Sequence, residues 1–325
     1  MTKRQHGAAL LAAMLTVTLV ATFAAAALWQ QWRSVEVEAA DRQRVQSTWI
    51  LTGALDWARL ILREDRNRAD YLAEPWAVPL QEARLSTFLA ADQSNNAMGE
   101  DSDADQVFLS GEILDLQGRL NAGNLVQRGV PQAKWEPVFR RLFDLLGLPQ
   151  EQFTRMEENL RFASDINIDN RNAARAPLAP QRVEQLAWLG LAPETVAALQ
   201  PFVTILPVSN TPVNLNTAPA EVIYAAMGTI SLADAQRLVA ERERKHFSRV
   251  EDALALLPPV TPPATGPDMS LLGVGSAYFE VRGRLRIDDI VIEERSMVWK
   301  QGQSVHTLQR ERGPIEAFAT TEIKR

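Results

Sequence analysis

The residues of this 325-residue chain whose types and spacing could do chemistry are few, and most are acids. Asp101, Asp103, Asp105 and Glu112 follow the alternating spacing of a calcium-binding loop. Gln106 stands where such a loop needs glycine, and Glu112 falls inside a predicted strand, so the segment reads as a solvated acidic loop. Asp165 and Asp169, in the stretch FASDINIDNR at 162–171, read as a polar turn whose Asp and Asn side chains bond locally. The chain has no cysteine, which excludes disulfides, zinc–thiolate sites and a cysteine nucleophile. Its histidines are His6, His246 and His306, too scattered for a two- or three-histidine metal centre. There is no nucleophile elbow, P-loop or dinucleotide-binding glycine pattern, so no enzymatic centre is predicted. What remains is a peptide bond, Gly7–Ala8, between a basic stub and an apolar run.

That run, residues 8–29, contains no Asp, Glu, Lys or Arg. At about 1.5 Å per residue it is long enough to cross a bilayer core of roughly 30 Å. Lys3 and Arg4 precede it; Arg33, Glu36 and Glu38 follow it. Three readings stay open on these residues alone. The alanines at 24–27 could end a cleaved signal peptide, although the run is longer than such segments usually are. The length and charge placement fit a plain membrane anchor. A short basic leader ending in Gly7 also resembles a prepilin leader, cut between Gly7 and Ala8 with the helix left in place.

The rest of the chain is ordinary for a folded protein, with 46% hydrophobic and 23% charged residues. Its net charge of -6 argues against a general nucleic-acid binder, which needs basic patches. The first helix is predicted to continue to about residue 66. Proline is absent from 32–66, and Val45, Trp49, Leu51, Leu55, Ala58 and Leu62 recur at roughly helical spacing, with Trp57 and Ile61 widening the stripe. Pro75 and Pro79 end the pattern. A strand is predicted at 107–116, then helices at 137–146, 150–161, 180–189, 193–202, 219–227, 231–244 and 249–257. Ser231 is the expected N-cap of its helix with Asp234 in the first turn, and Thr217 the expected cap of the helix starting near Pro219. The block at 258–275, rich in Pro and Gly, ends the helical stretch. Strands are predicted again at 277–287, where Phe279, Val281, Leu285 and Ile287 alternate with charged residues, then at 290–300 and, more weakly, at 304–311. A lone strand at 107–116 needs partners, and the strands after 277 are the candidates. The apolar half of the first helix is available to cover that sheet.

In this order the chain resembles the K-type minor pseudopilins of the type II secretion system. The likeness runs from the leader to about residue 300: GAALL at 7–11, WAR at 57–59, LRED at 62–65, EPWAVP at 74–79, EILDLQGRLNAGNL at 112–125 and VNLNTAPAEV at 213–222. It implies an α+β, pilin-like fold: a long membrane-spanning helix packed on a small antiparallel sheet, with a large all-α insertion. The implied parts are a leader at 1–7, a transmembrane helix at 8–30 and pilin-like segments at 31–120 and 276–325. Between them lie the insertion at 121–257 and a linker at 258–275. The resemblance further implies cleavage between Gly7 and Ala8 by the prepilin peptidase, and N-methylation of Ala8. It implies a single pass through the cell inner membrane, with the N-terminus cytoplasmic and the globular part periplasmic. The implied partners are the I- and J-type minor pseudopilins, other pseudopilins and the inner-membrane assembly platform. The implied role is to cap the pseudopilus tip and initiate its assembly for protein secretion, with no enzymatic activity. Most pilins carry Glu five residues after the cut, and this chain has Ala12. The K-type subunit lacks that Glu: a subunit with none above it has no terminal amine to pair, and an unpaired acid in lipid is costly. K-type proteins also bind calcium in an acidic loop of the insertion; Asp165 and Asp169 lie in the corresponding place, with fewer acids than that loop carries.

Residues 213–257 also resemble a helix-hairpin-helix module. That leaves a rival reading, a membrane-anchored protein that binds DNA through a glycine-rich hairpin. The hairpin here has one glycine, Gly228, and Arg242, Arg244 and Lys245 are balanced by Glu241 and Glu243, which favours a packing role.

Overall fold

A computed structural model describes residues 6–90, 107–165, 175–258, 266–287 and 290–314. The chain divides into two compact units, Met1–Gly53 and Ala54–Arg325. Helix α1 (His6–Glu64) contributes to both. Along the apolar run its large side chains, among them Leu10, Leu15, Val20 and Phe23, are more than half exposed. Its hydroxyls turn inward on the helix: Thr16, Thr18 and Thr22 each donate to the carbonyl three residues back. A helix that satisfies its own polar groups and presents only hydrocarbon is suited to lipid. Among the described residues it is the one helix long and apolar enough to cross a membrane.

The second unit begins with the end of α1. In chain order there follow β1 (Leu80–Arg84), α2 (Leu85–Ala90), β2 (Val107–Asp115), β3 (Leu120–Asn121), β4 (Val126–Gln127), β5 (Val130–Pro131), α3 (Glu136–Leu145) and α4 (Gln150–Ser164). Then come a 3-10 turn (Val183–Leu189), α5 (Pro193–Leu199), β6 (Val203–Thr204), β7 (Val213–Asn214), α6 (Ala220–Met227), α7 (Leu232–Arg244) and α8 (Val250–Leu254). The chain closes with β8 (Leu272–Gly273), β9 (Tyr278–Ile287), β10 (Ile290–Gln301) and β11 (Ser304–Pro314).

The main sheet has the order β1-β2-β9-β10-β11, antiparallel throughout. As expected, β2 pairs with a strand from beyond the helical stretch: Ile113 lies opposite Val281 and Leu109 opposite Leu285. Successive strand residues face opposite sides, so Phe279, Val281 and Val298 share one face. On that face they form a buried cluster with Leu55, Ala58 and Leu62 of α1 and with Trp76, Ile113 and Val305. The buried stripe is shorter and narrower than the spacing implied: Val45, Trp49 and Trp57 are 55%, 72% and 42% exposed. On the opposite face Tyr278, Met297 and Trp299 meet Leu116 and Leu206.

Everything between β2 and β9 forms its own core. Helix α3 buries Val138, Phe139, Leu142 and Phe143, and α4 buries Phe153, Met156 and Leu160 against them. Phe153 sits edge-on to Phe143 at 5.4 Å and stacks on Phe139 at 6.5 Å. This insertion is not all helix. The parallel pairs β3–β6 and β7–β8 and the hairpin β4–β5 stitch it, each strand being two residues long. Strands this short have no periodicity to reveal them. The stretch at 180–189 closes as a 3-10 turn ended by Gly190 in the left-handed region, φ 91°.

Candidate functional site

Two places in the molecule bear on function: the membrane helix, and the joint where the insertion leaves and rejoins the sheet. On the helix, Gly7 and Ala8 lie within α1, and Ala12 is exposed on it among apolar neighbours. No acid occurs between Ala8 and Val35.

The joint is built from three stretches that are far apart in sequence. The chain enters the insertion through Asp115–Gln117 at the end of β2 and leaves it through Ser276 before β9. The loop after α1 carries Asp65, Asp70 and Glu74. Asp115 accepts four hydrogen bonds, from Thr217 Oγ1 (2.5 Å), Ser276 Oγ (2.6 Å), Asn214 Nδ2 (2.9 Å) and the Gln117 N–H (2.7 Å). Thr217 therefore serves Asp115 and does not cap α6, whose N-cap is Pro219 without a side-chain bond. Asn214 Nδ2 also donates to the Asp70 carbonyl (3.0 Å), and Gln117 bridges to the Pro212 carbonyl and the Ala277 N–H. Asp70 accepts from the Ser276 N–H (2.7 Å) and from the Lys300 ammonium (3.0 Å), which also reaches Asp65 at 2.5 Å. Glu74 accepts from Asn67 Nδ2, the Tyr71 N–H and Trp76 Nε1. The oxygens of Asp65, Asp70 and Glu74 lie within 4.8 Å of one another, and the Lys300 ammonium bonds two of these acids, Asp65 and Asp70. Tyr71 stacks on His246 of the insertion at 3.9 Å.

Burial raises the Asp115 carboxyl above its usual range, against the pull of its hydroxyl and N–H donors. Burial pushes Asp70 up to about 6, against the lowering effect of the Ser276 N–H and Lys300. For Lys300, burial works against the charge, but Asp65 and Asp70 outweigh it and hold its ammonium above the usual lysine range. This joint escaped sequence reasoning because its members are single polar residues, and only the fold brings them together.

The hairpin of the helix-hairpin-helix segment is already occupied. The Gly228 N–H donates to the Tyr224 carbonyl as a helix cap, and the Arg141 guanidinium lies over the glycine where a Cβ would stand 2.5 Å from Cζ. Arg141 is fixed there by its bond to the Ala225 carbonyl. Arg242 is turned inward onto the Leu215 and Ala218 carbonyls, with its pKa lowered by burial to about 10. Both cations and the hairpin N–H are thus committed to packing inside the protein, as the single glycine suggested.

Asp165 lines a cavity of about 380 Å³ with Glu158, Asn159, Arg161, Phe162 and Gly129. Asp169 and the acids at 101–105 lie outside the described residues.

Comparison with known proteins bears on the whole chain. Two family models described as type II secretion system (T2SS), protein K, match residues 118–208 and 213–275. The type II secretion system protein K of Pectobacterium carotovorum subsp. carotovorum is 27% identical, over 96% of this chain and 98% of that protein. The protein K of Pseudomonas aeruginosa is 27% identical over 98% of this chain and 93% of its own, and that of Dickeya chrysanthemi 24% over 96% and 98%. Among solved structures, a chain of the GspK-GspI-GspJ complex from the enterotoxigenic Escherichia coli type 2 secretion system shares the fold. Its TM-score is 0.58 at 18% identity, over 84% of this chain and 98% of that one. The leader-to-sheet order of motifs, the sheet split by a helical insertion and these full-length relatives agree: the chain is similar from end to end to the type II secretion system protein K family of minor pseudopilins.

Proposed function

We propose that this minor pseudopilin caps the tip of the pseudopilus, together with I- and J-type subunits, and initiates its assembly at the inner-membrane platform. It has no enzymatic activity in this reading. The observation that carries the reading is the helix itself, acid-free from Ala8 to Val35 with Ala12 where pilins place Glu. A subunit stacked beneath another uses that acid to pair with a neighbour's terminal amine; a subunit at the tip has no such neighbour to meet, and a bare acid in hydrocarbon costs about 3 kcal/mol. Small residues near the start, Ala9, Ala12 and Ala13, let partner helices approach closely. The insertion adds bulk that suits an end position. The chain is anchored by one pass in the inner membrane, with its leader cytoplasmic and its second unit periplasmic, where it meets the other pseudopilins.

The leader is cut after Gly7 by the prepilin peptidase and the new Ala8 amine is methylated. Mass spectrometry of the protein from cells with the peptidase should find a chain starting at methylated Ala8; Gly7→Leu should remain full length. A mature start near Ala27, or normal trimming of the variant, would overturn the processing. Calcium belongs to the same proposal: Asp165 and Glu158 border one cavity of the insertion, and Asp169 follows closely in sequence.

A further inference from the structure

The apolar run of α1 ends in a pair of aromatics. Trp29 and Trp32 are three residues apart, so they share one side of the helix, and their rings lie 5.4 Å apart, tilted by 44°. Both are exposed, at 64% and 57%. An indole is apolar in its body and donates one N–H, so it is best placed where hydrocarbon gives way to polar headgroups. The residues on either side mark such a boundary. Before the pair, the run from Ala8 has no charged residue. After it come Arg33, Glu36 and Glu38, and Glu38 pairs with Arg42 at 3.1 Å. The two side chains are 73% and 70% exposed, an ion pair placed for water. Helix rise points to the same boundary: Ala8 to Trp29 spans about 32 Å, close to the thickness of the hydrocarbon core, and Trp32 stands about 4.5 Å beyond. Rotation agrees with depth. At about 100° per residue, Leu11 and Met14 fall on the tryptophan side of α1, while Ala9, Ala12, Ala13 and Ala27 fall on the opposite side.

We propose that Trp29 and Trp32 seat in the headgroup layer of the periplasmic leaflet, where they fix both the depth and the rotation of α1 in the membrane. The inference rests on the single-pass anchoring proposed for the chain, and adds where the pass ends and which side of it faces lipid. A charge-free run alone leaves a helix free to slide, because every part of it is equally at home in hydrocarbon. Two indoles at one end remove that freedom, since anchors of this kind, with helix packing, set how a membrane helix tilts and turns. Arg33 follows directly, and its long side chain can extend into the same layer of lipid phosphates. With the tryptophan side held on lipid, the side carrying Ala9, Ala12, Ala13 and Ala27 is presented to other helices, where small residues allow close approach.

The test uses the full chain reconstituted in vesicles of phosphatidylethanolamine and phosphatidylglycerol. Subtracting the emission of Trp29→Phe/Trp32→Phe from that of the parent isolates the fluorescence of the pair. Bromine placed high on the acyl chains, near the headgroups, should quench it about twofold more than bromine near the bilayer centre. Equal or stronger quenching from the centre would overturn the assigned depth and leave the anchor standing. So would an absence of quenching from either depth in protein that floats with the vesicles, since the pair would then lie in water. A chain that does not float with the vesicles would overturn the anchor itself, and the seat with it. Rotation is read in cells that assemble the secretion machinery, with a photo-crosslinking residue in place of one helix side chain. Ala27→benzoylphenylalanine should form adducts with other proteins, and Trp32→benzoylphenylalanine should form none. Protein adducts from position 32, or none from position 27, would overturn the division of α1 into a lipid side and a protein side.

Discussion

The two halves of the second unit are held together by different physics. The insertion is stabilised by packing: Trp135, Phe139, Phe143 and Phe153 are among its fully buried side chains, around a core that draws on α3 to α8 and the short strands. The sheet has a thinner core, with Trp76 and Phe279 as its large fully buried aromatics and one end of one helix as cover. Charge is used instead. Arg282 bonds Glu280 and Glu112, Arg286 bonds Glu82 and lies 3.9 Å over Phe108, and Arg295 bonds Glu293. On the other face the buried Glu294 is gripped by Arg310 and Arg312 of β11. Half-exposed pairs contribute little each, but they fix register, because a slip by one residue would set these charges against the apolar cluster. One half therefore rests on a large packed core of its own, while the other relies more on the specific pairing of its charges.

The most severe way to break this contrast is to hollow the self-sufficient half. Phe153→Ala removes the ring between Phe139 and Phe143 at a site with no exposure, and a large cavity should cost about 3–5 kcal/mol. Urea unfolding of the full chain in detergent, followed by tryptophan fluorescence, should show the midpoint falling by a corresponding amount. A loss below about 1 kcal/mol would mean that the insertion core is not the dominant store of stability.

A smaller change should separate the halves instead of weakening either. Asp115 links β2 to Asn214 and Thr217 of the insertion and to Ser276 at its return. In Asp115→Asn an amide faces groups that all donate to the carboxylate, at a cost of about 2 kcal/mol. That loss falls on the link, so the parent chain's single unfolding transition should split in two, read by Trp135 for the insertion and Trp76 for the sheet. A single transition in the variant, merely shifted, would show that the halves are coupled elsewhere.

The sequence made the long elements legible and left the links between them hidden. The alternation of Phe279, Val281 and Leu285 with charges located β9 to within a residue, and the Ser231–Asp234 pair marked the start of α7. The lone strand at 107–116 demanded partners after 277, which the register supplies. Trp57 was misplaced because a helical stripe wide enough to include it is indistinguishable, by spacing alone, from the narrower one that the sheet accepts. The paired two-residue strands lack any period, and Thr217, next to a proline, looked like a cap when its hydroxyl in fact serves Asp115. A carboxylate that accepts from residues about 100 and 161 positions away leaves no local pattern to read.

The mildest test acts on the surface of the insertion and reports on the coupling. Ser231 Oγ accepts from the Asp234 N–H at 3.1 Å, and the Asp234 carboxylate accepts from the Ser231 N–H in return, a reciprocal cap on α7. Ser231→Ala should cost about 1 kcal/mol. In the parent chain the halves should unfold together, and the whole transition should shift by that amount. In the Asp115→Asn background only the transition reported by Trp135 should move, and that reported by Trp76 should stay in place. A cap is the right probe for this purpose because it touches neither core and neither set of ion pairs of the sheet. Any shift it caused at Trp76 in the double variant would therefore have to travel through a connection other than the Asp115 link.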